Sequence, residues 1–177
     1  MFASLMFRTD VDQDQGEPPH DRRACRRLDP HIEGHRGPAE EVYAAFLDPI
    51  ALIDWLPPGE LTGEIHEFDA RVGGGYRMSL FYPAEERLFR GKTSDREDMV
   101  NVRFVALTPP RRIVEAVSFV TTDPAIFGEM TMIATFEEVS GGTEVTLVFK
   151  NLPPGLRAED SEAGLRLSLE QLGRRFE

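Results

Sequence analysis

Between Leu61 and Asn151 the sequence consists of six successive runs in which apolar and polar residues alternate with a period of two. Such alternation is typical of β-strands with one buried face, because consecutive side chains point to opposite faces of a sheet. Most connections between the runs are short and carry Gly or Pro, whereas parallel strands need crossovers of about a dozen residues or more. The pattern therefore predicts an antiparallel meander built from the runs GEIHEFDAR, GYRMSLFY, MVNVRFVAL, RRIVEAVSFV, EMTMIATFEEV and TEVTLVFKN.

On both sides of these runs the apolar period becomes helical. Two short helices are predicted in PAEEVYAAFLDP and PIALIDWLPPG, because each is bounded by proline and carries apolar residues at helical spacing. A long helix is predicted at the C-terminus, where one stripe holds Leu165, Leu169, Leu172 and Phe176. An antiparallel sheet with helices at its two ends indicates the α+β class.

The stretch FDARVGGGYRMSL, with three consecutive glycines, raises the question of a phosphate-binding loop. Such a loop leads from a strand into a helix, whose N-terminal N–H groups then meet the anion. Gly73 to Gly75 lead into another strand instead, and no GKS or GKT follows. We therefore expect a hairpin turn with positive φ and a bulge, in which Gly74 is the position that most requires glycine.

Composition excludes several classes of function. The chain has 31 acidic and 20 basic residues and a formal net charge of −11, so binding to nucleic acids or anionic membranes is not expected. No apolar run approaches the ~18–20 residues that a membrane-spanning helix needs. The single cysteine, Cys25, cannot form an internal disulfide and suits a reducing compartment, which predicts a cytoplasmic protein.

The N-terminal segment is polar and poor in apolar residues. Residues 1–37 are expected to form a mostly disordered leader, because such a composition buries too little surface to offset the entropy of ordering. The segment contains His20, His31 and His35, but their spacing matches no metal-binding motif. We therefore predict no metal and no cofactor, and a single ordered domain over residues 38–177.

The order of two helices, six strands and a terminal helix resembles a known family. The segments EEVYAAFLDP, WLPP, GEIHEFDARVGGGYRMSL, GEMTMIATFEEV and EAGLRLSLEQL are similar to those of single-domain proteins related to the C-terminal domain of the activator of Hsp90 ATPase. These proteins belong to the START-like superfamily, together with polyketide cyclases and Bet v 1. The resemblance covers about residues 38–177 and implies a helix-grip fold, in which a curved antiparallel sheet wraps around the long C-terminal helix and a cavity lies between them.

The resemblance has two further implications. Family members carry an edge strand before the first helix, which would fall at about residues 28–36, where Ile32 is the one strongly apolar residue. The eukaryotic activator has an additional N-terminal domain that binds the chaperone, and this chain has no room for one. The family resemblance therefore does not imply ATPase activation.

Side chains on the inward phase of the strands and on the terminal-helix stripe are the candidates for the cavity wall. His66 is the only histidine in the segment expected to be ordered, and it shares the alternation phase of Phe68, so it is the candidate acid–base group. The alternative is a histidine that is hydrogen-bonded at the sheet edge. The full set of candidate ligand-binding residues is Trp55, His66, Phe68, Tyr76, Met78, Phe104, Met130, Met132, Leu165 and Leu169.

Glu115 leaves the orientation of its strand open, because it alternates in phase with apolar residues. Surface ion pairs of Glu115 and Glu129 with Arg77 or Arg103 would account for both carboxylates without a functional role. No Gly-x-Ser-x-Gly motif or other nucleophile set is present.

These observations predict a protein that binds a small hydrophobic molecule in an apolar cavity. One alternative is a cofactor-independent cyclase, dehydratase or hydrolase that acts on a hydrophobic substrate there. Another is an interaction domain for a chaperone or a regulator. A buried polar residue that converges on an enclosed pocket would favour the enzyme, whereas a filled core with a broad exposed apolar patch would favour the interaction domain.

Overall fold

The computed structural model describes residues 31–35, 37–86 and 90–177. Over these ranges the chain forms seven strands and three helices. In chain order they are β1 His31–His35, α1 Ala39–Ala45, α2 Pro49–Trp55, β2 Thr62–Asp69, β3 Gly75–Phe81, β4 Glu97–Thr108, β5 Arg112–Phe119, β6 Glu129–Val139, β7 Gly142–Lys150 and α3 Ala158–Arg175.

All strands belong to one antiparallel sheet with the order β1-β7-β6-β5-β4-β3-β2. The predicted meander from β2 to β7 is confirmed, because each of these strands pairs with its neighbour in sequence. The sheet has a seventh strand at the place implied by the family resemblance: β1 pairs with β7, with His31 opposite Leu147 and His35 opposite Thr143. The predicted disordered leader falls mainly on residues 1–30, which lie outside the described residues.

Hydrogen bonds cap α2 and connect its C-terminal end to α3. Asp48 caps α2, since its Oδ1 accepts a hydrogen bond from the N–H of Ile50 at 2.9 Å. The chain leaving α2 is tied to α3 by the Nε2 of Gln171, which donates to the carbonyls of Trp55 at 3.0 Å and Pro57 at 2.6 Å. Helix α3 makes its most extensive contacts with β1 and α2. Helix α3 therefore packs directly on the edge strand β1 and on α2.

The hydrophobic core lies between the sheet and the helices and contains two groups of aromatic rings. Phe46 contacts Trp55 and Phe136 with ring centroids 4.5 and 4.9 Å apart, which joins the two short helices to β6. Near the opposite end of the sheet, the ring of Tyr76 lies 5.9 Å from Phe104, and Phe68 packs against both. Aromatic contacts at these distances stabilise a core beyond the area that they bury.

The glycine turn between β2 and β3 forms the predicted hairpin, with one correction. The positive φ is at Gly73, at 82°, and not at Gly74. Glycine is needed at Gly75 for another reason, since a Cβ there would overlap the backbone carbonyl of Val102 on β4. The turn also bonds to β4, because the N–H of Gly73 donates to the carbonyl of Phe104 at 2.8 Å.

Candidate ligand-binding site

Seven of the ten side chains predicted to surround a cavity belong to one hydrophobic cluster between the sheet and the helices, and two more pack against it. Phe68 and Leu165 are partly buried and pack against this cluster. The fully buried members are Trp55, Tyr76, Met78, Phe104, Met130, Met132 and Leu169. The structure thus brings these residues together, and their contact with a ligand stays a prediction.

His66 is the tenth residue, and its predicted orientation is wrong. A β-bulge follows Ile65 and places one extra residue in β2, so that Ile65 and Phe68 both pack against the core. The Nε2 of His66 lies 2.8 Å from the Oγ of Ser79. Ser79 follows the core residue Met78 in β3 and therefore faces the other side of the sheet. His66 lies on the outer face, on the edge strand, as the alternative interpretation had it.

The outer-face cluster around Ser79 combines a serine, a histidine and carboxylates, as hydrolases do, but it is arranged differently. The hydroxyl of Ser79 donates to the Oε1 of Glu97 at 2.6 Å, so its proton is already committed to a carboxylate. The side chain is 0% exposed, which leaves no approach for a substrate. His66 is 27% exposed, and its Nδ1 lies 3.6 Å from the Oε1 of Glu64. The cluster therefore cross-links β2, β3 and β4 and is not a nucleophilic site.

Glu115 is the functional candidate that sequence analysis did not select. It lies in β5 opposite Phe104 of β4 and Met132 of β6, and both of these partners belong to the core cluster. Cross-strand partners share a face of the sheet, so the carboxyl group points into the interior. Only 1% of the residue is exposed.

One oxygen of the Glu115 carboxyl group lacks a hydrogen-bond partner among the described residues. Its Oε2 is one of two buried side-chain atoms, with the hydroxyl oxygen of Tyr43, that have no hydrogen-bond partner in the described part of the chain. The predicted ion pair of Glu129 with Arg103 is confirmed, at 3.3 Å, whereas the one predicted for Glu115 is wrong, because Arg77 bonds to Glu67 instead, at 2.6 Å. Burial raises the pKa of Glu115 from 4.5 to about 8. The group is therefore mainly a neutral carboxylic acid at pH 7.

Tyr76 is the second polar group on this inward face. It belongs to β3, and its ring packs at 5.9 Å on Phe104, the residue directly opposite Glu115. Burial raises the pKa of the Tyr76 hydroxyl well above 10, and the negative charge of an ionised Glu115 raises it further. The hydroxyl thus keeps its proton and can donate a hydrogen bond.

The inward face is bordered by apolar side chains that remain partly exposed. They pack against the core cluster without being covered completely, and they belong to β3, β4, β5, the β7–α3 connection and α3. The set is Leu80, Leu107, Phe119, Leu152, Leu156 and Leu165.

A second buried carboxylate, Asp98, lies at the start of β4 and differs from Glu115 in being fully bonded. It accepts hydrogen bonds from the hydroxyl of Tyr82 at 2.9 Å and from the ammonium of Lys92 at 2.7 Å. The backbone N–H of Lys92 also donates to it. The Nζ of Lys92 lies 5.0 Å from the centroid of the Phe119 ring. These contacts hold the connection between β3 and β4 against the sheet.

An open groove of about 670 Å³ lies elsewhere, between the start of α1 and the turn that joins β4 to β5. Its walls mix two cations with three carboxylates, and none of the ten predicted residues lines it. Among the described residues no three His, Cys, Asp or Glu side chains are grouped to hold a metal ion. Within the same ranges, no helix combines the length and apolarity that crossing a membrane would need.

A curved antiparallel sheet that packs against a C-terminal helix, with two short helices after the first strand, is the helix-grip fold. The family model described as Activator of Hsp90 ATPase homolog 1-like protein matches residues 36–177, and the chain belongs to this family. The family assignment and the fold predicted from the sequence are both confirmed.

Solved structures show the same fold. Protein CV1439 from Chromobacterium violaceum is 31% identical, with a TM-score of 0.73, over 83% of this chain and 94% of that one. Protein Ms6760 from Mycobacterium smegmatis is 18% identical, with a TM-score of 0.67, over 82% of this chain and 88% of that one. DynU16, a protein of the dynemicin biosynthetic locus, is 18% identical, with a TM-score of 0.56, over 82% of this chain and 45% of that one. No curated protein matches the sequence.

Proposed function

We propose that the protein binds a small hydrophobic molecule between the sheet and α3, with Glu115 as the polar anchor of the site. The observation that carries the proposal is the unpartnered Oε2 of Glu115 within an otherwise apolar interior. Leaving a buried polar atom without a hydrogen bond costs about 1–3 kcal/mol. A bound molecule would supply the missing partner and recover this free energy.

The surroundings of Glu115 suit such a ligand. The neighbouring side chains include Met130 and Met132, whose flexible thioethers adapt to apolar shapes of different outline. The partly exposed apolar side chains that border the inward face, Leu80 and Leu165 among them, give an apolar molecule a surface to contact before it is fully enclosed. Ligand pockets usually combine a mostly apolar lining with a few convergent polar groups.

The proposal is tested with the apolar fluorescent dye N-phenyl-1-naphthylamine and a matched pair of variants. Met132→Trp adds bulk on the inward face, whereas Ile133→Trp adds the same bulk next to it on the outer face. We expect the dye to bind the parent protein, with affinity lowered by about tenfold in Met132→Trp and unchanged in Ile133→Trp.

Two results would contradict the proposal: no dye binding to the parent protein, or equal binding to both variants. Should Met132→Trp fail to fold, Met132→Phe provides the smaller change with the same expected direction. Native mass spectrometry of protein purified from its own cell extract would then show the mass of a ligand that accompanies it.

An enzyme that uses Glu115 is the second candidate. A carboxylic acid with a pKa of about 8 keeps its proton near neutrality and can act as a general acid. Cofactor-independent cyclisation, dehydration or hydrolysis of a hydrophobic substrate are the reactions that such a group would assist. Turnover of a candidate substrate that is abolished in Glu115→Gln, with dye binding retained, would identify the protein as the enzyme rather than the binding module.

A further inference from the structure

We infer that the ligand carries an uncharged carbonyl oxygen, and that Glu115 and Tyr76 bind this oxygen as a pair of hydrogen-bond donors. The inference rests on the proposed function, because it specifies the chemistry of the molecule in the same site. It is carried by the positions of two buried hydroxyl-bearing groups on the inward face of β3 and β5, the two strands that flank β4.

The first step is the geometry of the two groups. Tyr76 lies opposite Val102 on β4, and Glu115 lies opposite Phe104, two residues further along the same strand. Both side chains therefore point to one face of the sheet, from strands on either side of β4. Both groups adjoin Phe104, whose ring lies 5.9 Å from that of Tyr76 and which is the cross-strand partner of Glu115.

The second step is the protonation state. Because its folded pKa is about 8, Glu115 presents an O–H group at neutral pH. The phenol of Tyr76 keeps its proton over the same range. Two donors on the same apolar face match an oxygen with two lone pairs, and a carboxylic acid kept neutral by its surroundings is an effective donor to a carbonyl.

The third step is the charge of the ligand. The other ionisable groups that the described elements bring toward the inward face are already paired or lie at a distance along the sheet. Asp98 is bonded to Lys92 and Tyr82 near the start of β4, and Tyr43 lies on α1 beside Phe136. The cross-strand neighbours of Glu115 in β4 and β6 are apolar, namely Phe104 and Met132.

A carboxylate or phosphate would thus find no free cation among the described residues in this part of the interior, and an ammonium ion would require Glu115 to ionise where burial opposes it. A neutral carbonyl group needs neither a cation in the site nor an ionised Glu115. The site therefore selects a hydrophobic ketone, enone, ester or similar carbonyl compound.

Three probes with one carbon skeleton test the inference. They are 2-acetylnaphthalene, in which the group is C=O, 2-isopropenylnaphthalene, in which it is C=CH2, and 1-(2-naphthyl)ethylamine, which is a cation. Dissociation constants are measured by displacement of N-phenyl-1-naphthylamine from the full chain near pH 6.5. The carbonyl carbon of the ketone is also labelled with carbon-13, because its NMR resonance moves downfield when the oxygen accepts hydrogen bonds.

Tyr76→Phe removes one donor and Glu115→Leu removes the other. We expect each to weaken ketone binding by about 3- to 10-fold and to leave alkene binding within about twofold. The carbon-13 resonance of the bound ketone should move upfield in both variants. Tyr43→Phe, which removes the other buried unpartnered hydroxyl, is the matched control and should change neither probe.

Glu115→Gln separates donation from packing, since the amide keeps a donor and the shape of the side chain. It should retain ketone binding within about threefold. Ketone binding to the parent should fall as pH rises through about 8, when Glu115 ionises, and should stay constant in Glu115→Gln.

The outcomes separate the two proposals. If no probe binds the parent protein, both the proposed function and this inference are overturned. If the alkene binds, but ketone affinity and the carbon-13 resonance are the same in the parent, Tyr76→Phe and Glu115→Leu, the site exists and the carbonyl assignment is wrong. Tightest binding of the amine, strengthening above about pH 8, would equally overturn it in favour of a cationic ligand.

Discussion

Replacing Glu115 by Gln should stabilise the protein, and the gain should grow with pH. The folded protein holds the proton of Glu115 up to about pH 8, whereas the unfolded chain releases it near the ordinary pKa of 4.5. Between these values the folded state binds more protons than the unfolded state, so the free energy of unfolding falls as pH rises. The contribution of Glu115 to the free energy of unfolding is therefore largest below pH 4.5, falls as pH rises to about 8, and stays constant above that.

The magnitude follows from the same two pKa values. Each unit of difference is worth about 1.4 kcal/mol, so the whole decline is about 5 kcal/mol for a group with this burial. Between about pH 5 and pH 7.5 the expected part is about 3 kcal/mol. For a domain of this size, that corresponds to a melting temperature about 6–12 °C higher in Glu115→Gln than in the parent at pH 7.5, relative to their difference at pH 5.

The assay is urea unfolding at a series of pH values, followed by the fluorescence of Trp55, the single tryptophan, which is buried in the core. The formal net charge of −11 gives the parent a pH dependence of its own, so the informative quantity is the difference between variant and parent. Glu137→Gln, at an exposed position on β6, controls for the loss of one negative charge and should run parallel to the parent. Parallel curves for Glu115→Gln as well would refute the reasoning, because they would mean that the carboxyl group titrates as it does in water.

Three further outcomes are expected from urea or thermal unfolding. Gly75→Ala should destabilise by ~3 kcal/mol or more, because its methyl group overlaps the backbone of β4, whereas Gly73→Ala should cost only ~1 kcal/mol, since its φ is positive but the space around it is open; equal costs would contradict this account. Asp98→Ala should lose ~3 kcal/mol, because it leaves an ammonium and a phenol without their acceptor, and a loss below ~1 kcal/mol would count against it. Deleting residues 1–27 should change the melting temperature little, whereas deleting 1–36 should lower it sharply by removing β1 from the sheet; a sharp drop from the shorter deletion would show that the leader is packed, and no drop from the longer one would show that β1 adds little stability.

Most of the fold could be predicted because the spacing of apolar residues along the sequence indicates which segments form strands and which form helices. Six runs with a period of two and an apolar helical stripe each need one buried face, and short turns leave an antiparallel order as the simplest solution. Strand β1 is different, since it joins the sheet edge through backbone pairing with β7 and carries almost no apolar pattern. The family resemblance implied this strand, whereas the sequence pattern offered only one strongly apolar residue, Ile32, in its support.

The orientation of His66 could not be predicted by alternation alone, because alternation assumes an uninterrupted ladder. One extra residue at the bulge reverses the faces of everything before it. The sequence did carry a clue: Ile65 and Phe68 are both apolar but three positions apart, a spacing that a regular strand would send to opposite faces. An odd spacing between apolar residues in a strand is a signal for such a bulge.

The two buried carboxylates show why Glu115 is better explained by function than by architecture. Asp98 is 3% exposed and Glu115 is 1% exposed, so removal from water penalises both. Asp98 recovers this penalty through three donors, and its contacts fix the connection that precedes β4. Glu115 cross-links no element of the described structure, and an apolar residue of similar volume would pack among its neighbours without the penalty. A group that lowers stability above about pH 5 and gives no contact in return is expected where a binding partner supplies the contact, and this is why we propose the site at Glu115 rather than at the groove or the outer-face histidine.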